Sequence, residues 1–198
     1  MSEREDIYRC SFPWFALRLR SNFEKTTAQL LEYRGYEVFL PTYRTRRRWS
    51  DRVKEIDAPF FAGYLFCRID ISHRLPVLTT PGVVGIAGRG RIPEPVDDHE
   101  IAAVQAIVKS GLFSQPWPFL TAGDRIRVEC GPLAGTEGIL TCTKGDYRLV
   151  ASISLLQRSV AVELDRDWVQ PVDHNFRPAP ALASRVTPPR LFATAQRS

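Results

Sequence analysis

Residues 123–140 read GDRIRVECGPLAGTEGIL, and the reading of this stretch decides the fold. From Arg125 to Cys130 apolar side chains fall on every second position, the mark of a strand with one wet face and one buried face. Apolar alternation resumes after Gly138. Between the two runs, Gly131 and Pro132 set up a turn with one free and one fixed φ, and Gly135 and Gly138 permit positive φ or close backbone approach. No GK[ST] follows and no helical period comes after, so this is not a phosphate loop. It is the connection of a small, tightly coiled β structure.

Outward from this stretch, strands are expected at 125–130, 136–143, 147–154, 159–164 and 168–170, with Val160, Val162 and Leu164 alternating against Ala161 and Glu163. Five short strands between 121 and 172 predict a barrel, which removes exposed sheet edges by closing. Before it, 112–120 (LFSQPWPFL) has two prolines and no period and is taken as a linker. After it, 173–198 is rich in Pro, Ala and Arg without a period and is expected to be a disordered tail.

The N-terminal half has a different rhythm. Phe15, Leu17 and Leu19 alternate with Trp14, Ala16 and Arg18 in a strand. Ser21 and Glu24 have the spacing of a capping box, and Phe23, Thr27, Leu30, Leu31 and Arg34 recur at helical spacing until Gly35. Val38–Leu40 is a short strand, 43–58 a charged hairpin, and Tyr64–Ile69 and Val83–Ile86 are strands. Between those last two, Pro76 starts a short helix near Leu75 that closes at Pro81 and Gly82. Asp97 and Glu100 repeat the capping-box spacing ahead of Ile101, Val104, Ile107 and Val108, on a helix ending near Gly111. This order describes an α+β fold, an α/β sandwich with an antiparallel sheet over residues 13–111, after a flexible 1–12.

The 198-residue chain is 44% hydrophobic, enough for two small cores. The net charge is +5, and 23 of the 27 basic residues are Arg, the residue better suited to phosphate and stacked contacts. Cys10, Cys67, Cys130 and Cys142 show no CxxC spacing, which fits a reduced, cytoplasmic protein. The charged N-terminus lacks a signal-peptide core, and no apolar run approaches the length of a membrane span. No Ser/His/Asp or metal-ligating constellation is readable, so no enzyme, cofactor or metal is expected.

The 123–140 stretch resembles the KOW motif. WFALRLRSNFEKTTAQLLEYRGYEVFLP, PFFAGYLFCRI and TTPGVVGI, in that order, resemble the N-terminal (NGN) domain of NusG-type elongation factors. The likeness runs from 14 to 172. It implies an NGN domain followed by a five-stranded, SH3-like KOW barrel in a monomeric, cytoplasmic transcription factor. It further implies an N-terminal domain that docks on the clamp coiled coil of RNA polymerase and favours processive elongation, and a barrel that recruits NusE, Rho or RNA.

The same resemblance assigns sites. Trp14, Phe61 and Tyr64 fall where the family carries its clamp-binding aromatics, and from the residues alone they are either core or an exposed aromatic patch. Arg44, Arg46, Arg47, Arg48, Trp49 and Arg52 form a basic hairpin with an aromatic, suited to non-template DNA or nascent RNA or else simply solvated. Thr79 and Thr80, at a helix end, are further nucleic-acid candidates or a plain C-terminal turn. Leu155, Leu156 and Arg158 sit in the barrel turn that the family presents to its partners, where Leu156 and Gln157 replace the usual Phe-Gly. That departure implies a specialised antiterminator of the RfaH, LoaP or UpxY kind, with a housekeeping NusG as one alternative and an RNA-binding KOW module without polymerase as another.

Overall fold

The computed structural model describes residues 12–48, 53–118, 124–143, 146–165 and 168–171. The tail at 173–198, residues 1–11 with Cys10, Trp49 and Arg52 lie outside the described residues, as do the side chains of Arg47, Arg48 and Cys142.

At the centre of the N-terminal sheet is β1 (Trp14–Leu19), paired antiparallel with β5 (Tyr64–Arg68) on one side and β6 (Val83–Ile86) on the other. β2 (Val38–Phe39) extends the sheet beyond β5, and β9 (Pro95–Val96) continues along β1 at Trp14 and Phe15. The period of two divides β1 as the sequence predicts. Phe15, Leu17 and Leu19 join Leu65 and Cys67 in a core beneath α1 (Glu24–Tyr33) and α2 (Leu75–Leu78), which contribute Ala28, Leu31 and Val77. Trp14, Ala16 and Phe66 join the opposite core with Ile101, Val104 and Ile107 of α3 (Asp98–Ser110).

The two capping-box spacings resolve differently from expectation. At α1 the N-cap is Phe23 with no side-chain bond, because Asn22 takes a left-handed φ of 67° and carries Ser21 away from the helix start. Glu24, buried at 9% exposure, turns instead to the backbone N–H of Gly63 at 3.0 Å. At α3, Asp97 does cap, accepting from the His99 N–H at 2.7 Å, but Glu100 reaches out of the helix. In both places a distant backbone donor outcompetes the local one. Gly111, with φ 69°, ends α3 where expected.

The charged hairpin is β3 (Thr42–Arg48) and β4 (Val53–Pro59), in register Arg44↔Asp57 and Arg46↔Glu55. A smaller hairpin, β7 (Gly88–Arg89) and β8 (Ile92–Pro93), was not predicted from the sequence.

The connection expected as a linker is a correction: Ser114–Pro118 forms strand β10. It pairs along its whole length with β14 (Arg158–Leu164), and the guanidinium of Arg148 lies 5.2 Å from the centroid of the Trp117 ring. Two prolines are tolerated because β10 is an edge strand. β11 (Asp124–Val128), β12 (Glu137–Thr143), β13 (Asp146–Ile153), β14 and β15 (Val169–Pro171) follow within one or two residues of their predicted bounds. The antiparallel order is β10-β14-β13-β12-β11-β15, so the predicted set of five carries a sixth strand at its edge.

The crowded glycines now have a cause. A Cβ on Gly131, at φ 79°, meets the Trp168 ring at 3.0 Å, and one on Gly138 lies 2.7 Å from Leu149 Cδ1 and 2.9 Å from the Val150 carbonyl. Gly131 makes room for the Trp168 ring and Gly138 lets β13 approach β12, around a core of Ile126, Val128, Leu133, Leu149 and Val162. That core is continuous with the Trp14–α3 core of the N-terminal half.

Candidate functional site

The three aromatics assigned to docking belong to one apolar cluster but are covered, with Trp14 and Tyr64 at opposite ends of the β1–β5 pair. Trp14 is 2% and Phe61 1% exposed, and Tyr64 is half-buried. This corrects the expectation of an exposed docking face. The physical reason lies in what surrounds each ring. Trp14 lies beneath the guanidinium of Arg68, 4.7 Å from its ring centroid. Arg68 is itself held by the Phe12 carbonyl at 2.6 Å, Glu37 at 3.2 Å and Asp98 at 3.7 Å. Phe61 packs edge-on against Phe66, with centroids 5.4 Å apart and planes at 85°.

Tyr64 is covered from the C-terminal β domain. The guanidinium of Arg158, at the start of β14, lies 5.2 Å from the Tyr64 ring centroid, and its Nη1 donates to the Ala62 carbonyl at 3.0 Å. Both carboxylate oxygens of Glu100, on α3, accept from the Ser154 N–H at 3.2 Å. Between these anchors the half-buried Leu155 and Leu156 pack on the same apolar cluster as Phe61 and Tyr64. Tyr64 and the turn candidates, 91 or more residues apart in the chain, are thus brought face to face. Gln157 holds the turn in a left-handed conformation at φ 51°, its Nε2 donating to the Ser154 carbonyl at 2.8 Å. A glycine there has no such side-chain clasp.

Between the start of α3 and strands β11–β13 lies an open recess of about 1150 Å³, lined among others by His99, Arg125, Arg127 and Glu137. Arg127 and Glu137 form an ion pair there, and the hydrogen bond from Arg127, ahead of its charge, holds the Glu137 carboxyl below the usual range.

In the basic hairpin, alternation places the exposed Arg44 and Arg46 on one side of β3. Acids offset part of this charge: Arg46 Nε is 3.0 Å from Glu55, and Asp57 stands opposite Arg44 in register with Lys25 at 3.9 Å. Thr80 is a further correction. It is 2% exposed, and its hydroxyl accepts from Arg34 Nη1 at 2.8 Å and donates to the Pro76 carbonyl at 3.0 Å, so it faces the protein. Thr79 is exposed, and its hydroxyl turns back to the Leu75 and Pro76 carbonyls.

Sequence reasoning missed Arg68 and Glu100. Arg68 ends an ordinary strand, and Glu100 carries the spacing of a local cap, so neither has a signal of its own. Among the described residues no cluster of His, Cys, Asp and Glu has metal-binding geometry, and no helix is long and apolar enough to cross a membrane.

Residues 12–105 match a family model described as "Transcription termination factor nusG". The transcription termination/antitermination protein NusG of Buchnera aphidicola is 28% identical over 168 residues, covering 77% of this chain and 92% of that protein. The protein of the same name from Pseudomonas aeruginosa is 26% identical, covering 78% of this chain and 90% of its own length. Among solved structures, one described as "Domain interaction in Thermotoga maritima NusG" aligns over 83% of this chain and 99% of that one, at 18% identity and a TM-score of 0.48.

Proposed function

With residues 12–105 forming a NusG-family domain and the chain a NusG-type transcription factor, we propose that it binds the clamp coiled coil of RNA polymerase through the face of Trp14, Phe61 and Tyr64 and suppresses pausing and termination. In this reading residues 13–111 are the polymerase-binding unit and 121–172 a KOW domain, with the preceding strand β10 added at the edge of its sheet. The KOW domain recruits NusE, Rho or RNA through Leu155, Leu156 and Arg158. The protein works as a cytoplasmic monomer, and the basic hairpin with Thr79 lies along non-template DNA or nascent RNA.

One observation carries the reading: the cover over Tyr64 is not a helix of its own domain but Arg158 and the Leu155–Leu156 turn of the next. An aromatic side chain closed by a turn from a different sheet is one that another partner can take over. The described arrangement is then the polymerase-free form, in which each domain occupies the other's interaction surface. The replacement of the family's Phe-Gly by Leu156-Gln157 favours an operon-specific antiterminator over a housekeeping NusG.

The test is co-purification with core RNA polymerase. Arg158→Glu sets a carboxylate against the Ala62 carbonyl and the Tyr64 ring, uncovers the face and raises polymerase capture above wild type. Adding Tyr64→Ala lowers it again. If neither wild type nor Arg158→Glu retains polymerase, the reading is wrong and an RNA-binding module takes its place. Polymerase occupancy confined to a few operons supports the specialised role, and occupancy of most transcribed genes supports the housekeeping one.

A further inference from the structure

A second recess, about 470 Å³ in volume, lies between the basic hairpin and the strand that follows α3. One wall is β3 with the exposed Arg44 and Arg46, and Glu55 of β4 beside them. The other wall begins at Phe113, a residue 62% exposed, and continues into Gln115 of β10. The Phe113 carbonyl accepts from the Glu163 N–H at 3.2 Å, so β14 holds the backbone that carries the ring.

The chemistry of these groups converges on one kind of ligand. Two guanidiniums project from the same face of β3, and of the two Arg46 is ion-paired, with Glu55. The recess therefore keeps positive charge for a polyanion. An exposed phenyl ring on a held backbone is a platform on which a base stacks, and Gln115 offers an amide to a base edge. Glu55 repels phosphate but accepts from a ribose 2′-hydroxyl, which DNA lacks. β3 continues from the recess as Arg47 and Arg48, so basic residues run outward along the strand.

We propose that this recess binds single-stranded RNA, with a base stacked on Phe113, the flanking phosphates on Arg44 and Arg46, and a 2′-hydroxyl on Glu55. Its two walls belong to different halves of the molecule, since β3 continues into the N-terminal half while β10 is paired into the sheet of the C-terminal domain. RNA bound here holds the two halves together. On the reading that polymerase needs the Tyr64 face uncovered, RNA held between both walls and polymerase oppose one another, each lowering the affinity for the other by the same factor, and only the hairpin wall stays available to nucleic acid once the halves separate.

The test uses the full-length protein and the fluorescence anisotropy of a labelled oligouridylate, with the matching oligothymidylate as the second arm. Wild type binds the oligouridylate more tightly than the oligothymidylate. Phe113→Ala weakens RNA binding about tenfold, within the range of a single lost base stack, while Phe113→Tyr retains it. Arg44→Ala weakens it and lowers the slope of log K against log salt by about 0.7. Phe113 is exposed, so the variants keep their fold, which circular dichroism checks. Equal binding of the two oligonucleotides, no RNA binding at all, or an unchanged affinity in Phe113→Ala overturns the proposal. Polymerase capture is scored on the same proteins: its loss with RNA binding intact sinks the polymerase reading alone, and the converse sinks this proposal alone.

Discussion

Cys67 shows how much of a residue's behaviour comes from its surroundings. It stands on β5 at 0% exposure, and burial first, then the Glu37 charge, pushes its thiol up to about 12 from an ordinary 9.0. Between those two values the unfolded chain releases a proton that the folded chain keeps, so stability falls as pH rises through that window. Chemical denaturation at a series of alkaline pH values should show this fall in wild type and a smaller one in Cys67→Ala, compared as slopes because the truncation also leaves a cavity. Equal slopes would remove Cys67 as the cause. The same dependence on surroundings separates Thr79 from Thr80. Adjacent and chemically identical, one is exposed, and the other is sealed under Arg34.

At the scale of elements, propensity and period decide where strands and helices lie, while long-range partners decide how their ends are satisfied. α3 has the complete apparatus of a helix: Asp97 on the His99 N–H, acids in the first turn, Lys109 in the last and Gly111 beyond it. Asp97→Ala leaves that donor unpaired and should cost about 1 kcal/mol in urea denaturation with an unchanged m-value. A change below the error of the measurement would mean that packing of Ile101, Val104 and Ile107 alone sets the helix. Glu100, three residues on, contributes to a different element altogether, since its carboxylate holds the Ser154 turn. β10 is the complementary case. Its sequence, SQPWP, has no strand signal of its own, and the free edge of β14 makes it a strand.

For the whole molecule, the polar anchors between the two halves among the described residues are partly exposed: Arg158 on Ala62 and Tyr64, and Glu100 on Ser154. Arg158→Glu should therefore separate the halves without unfolding either, seen as a larger radius of gyration in small-angle scattering with an unchanged circular dichroism spectrum. An unchanged radius would mean that the apolar contact of Leu155 and Leu156 suffices by itself. Read from the residues, the alternation of Trp14–Leu19 and of Val160–Leu164 determined those strands and the two faces of the N-terminal sheet, and the same period gave five of the six C-terminal strands, because a period of two is a local steric property of each strand. Quoted segments in a fixed order brought the NusG family into view. The tertiary structure alone decided that Trp14 and Phe61 are covered, that Glu24 and Glu100 leave their helices for Gly63 and Ser154, and that a proline-rich connection is a strand. Each of these depends on a partner far away in the chain, and nothing local in a sequence records which distant donor, ring or strand edge will arrive.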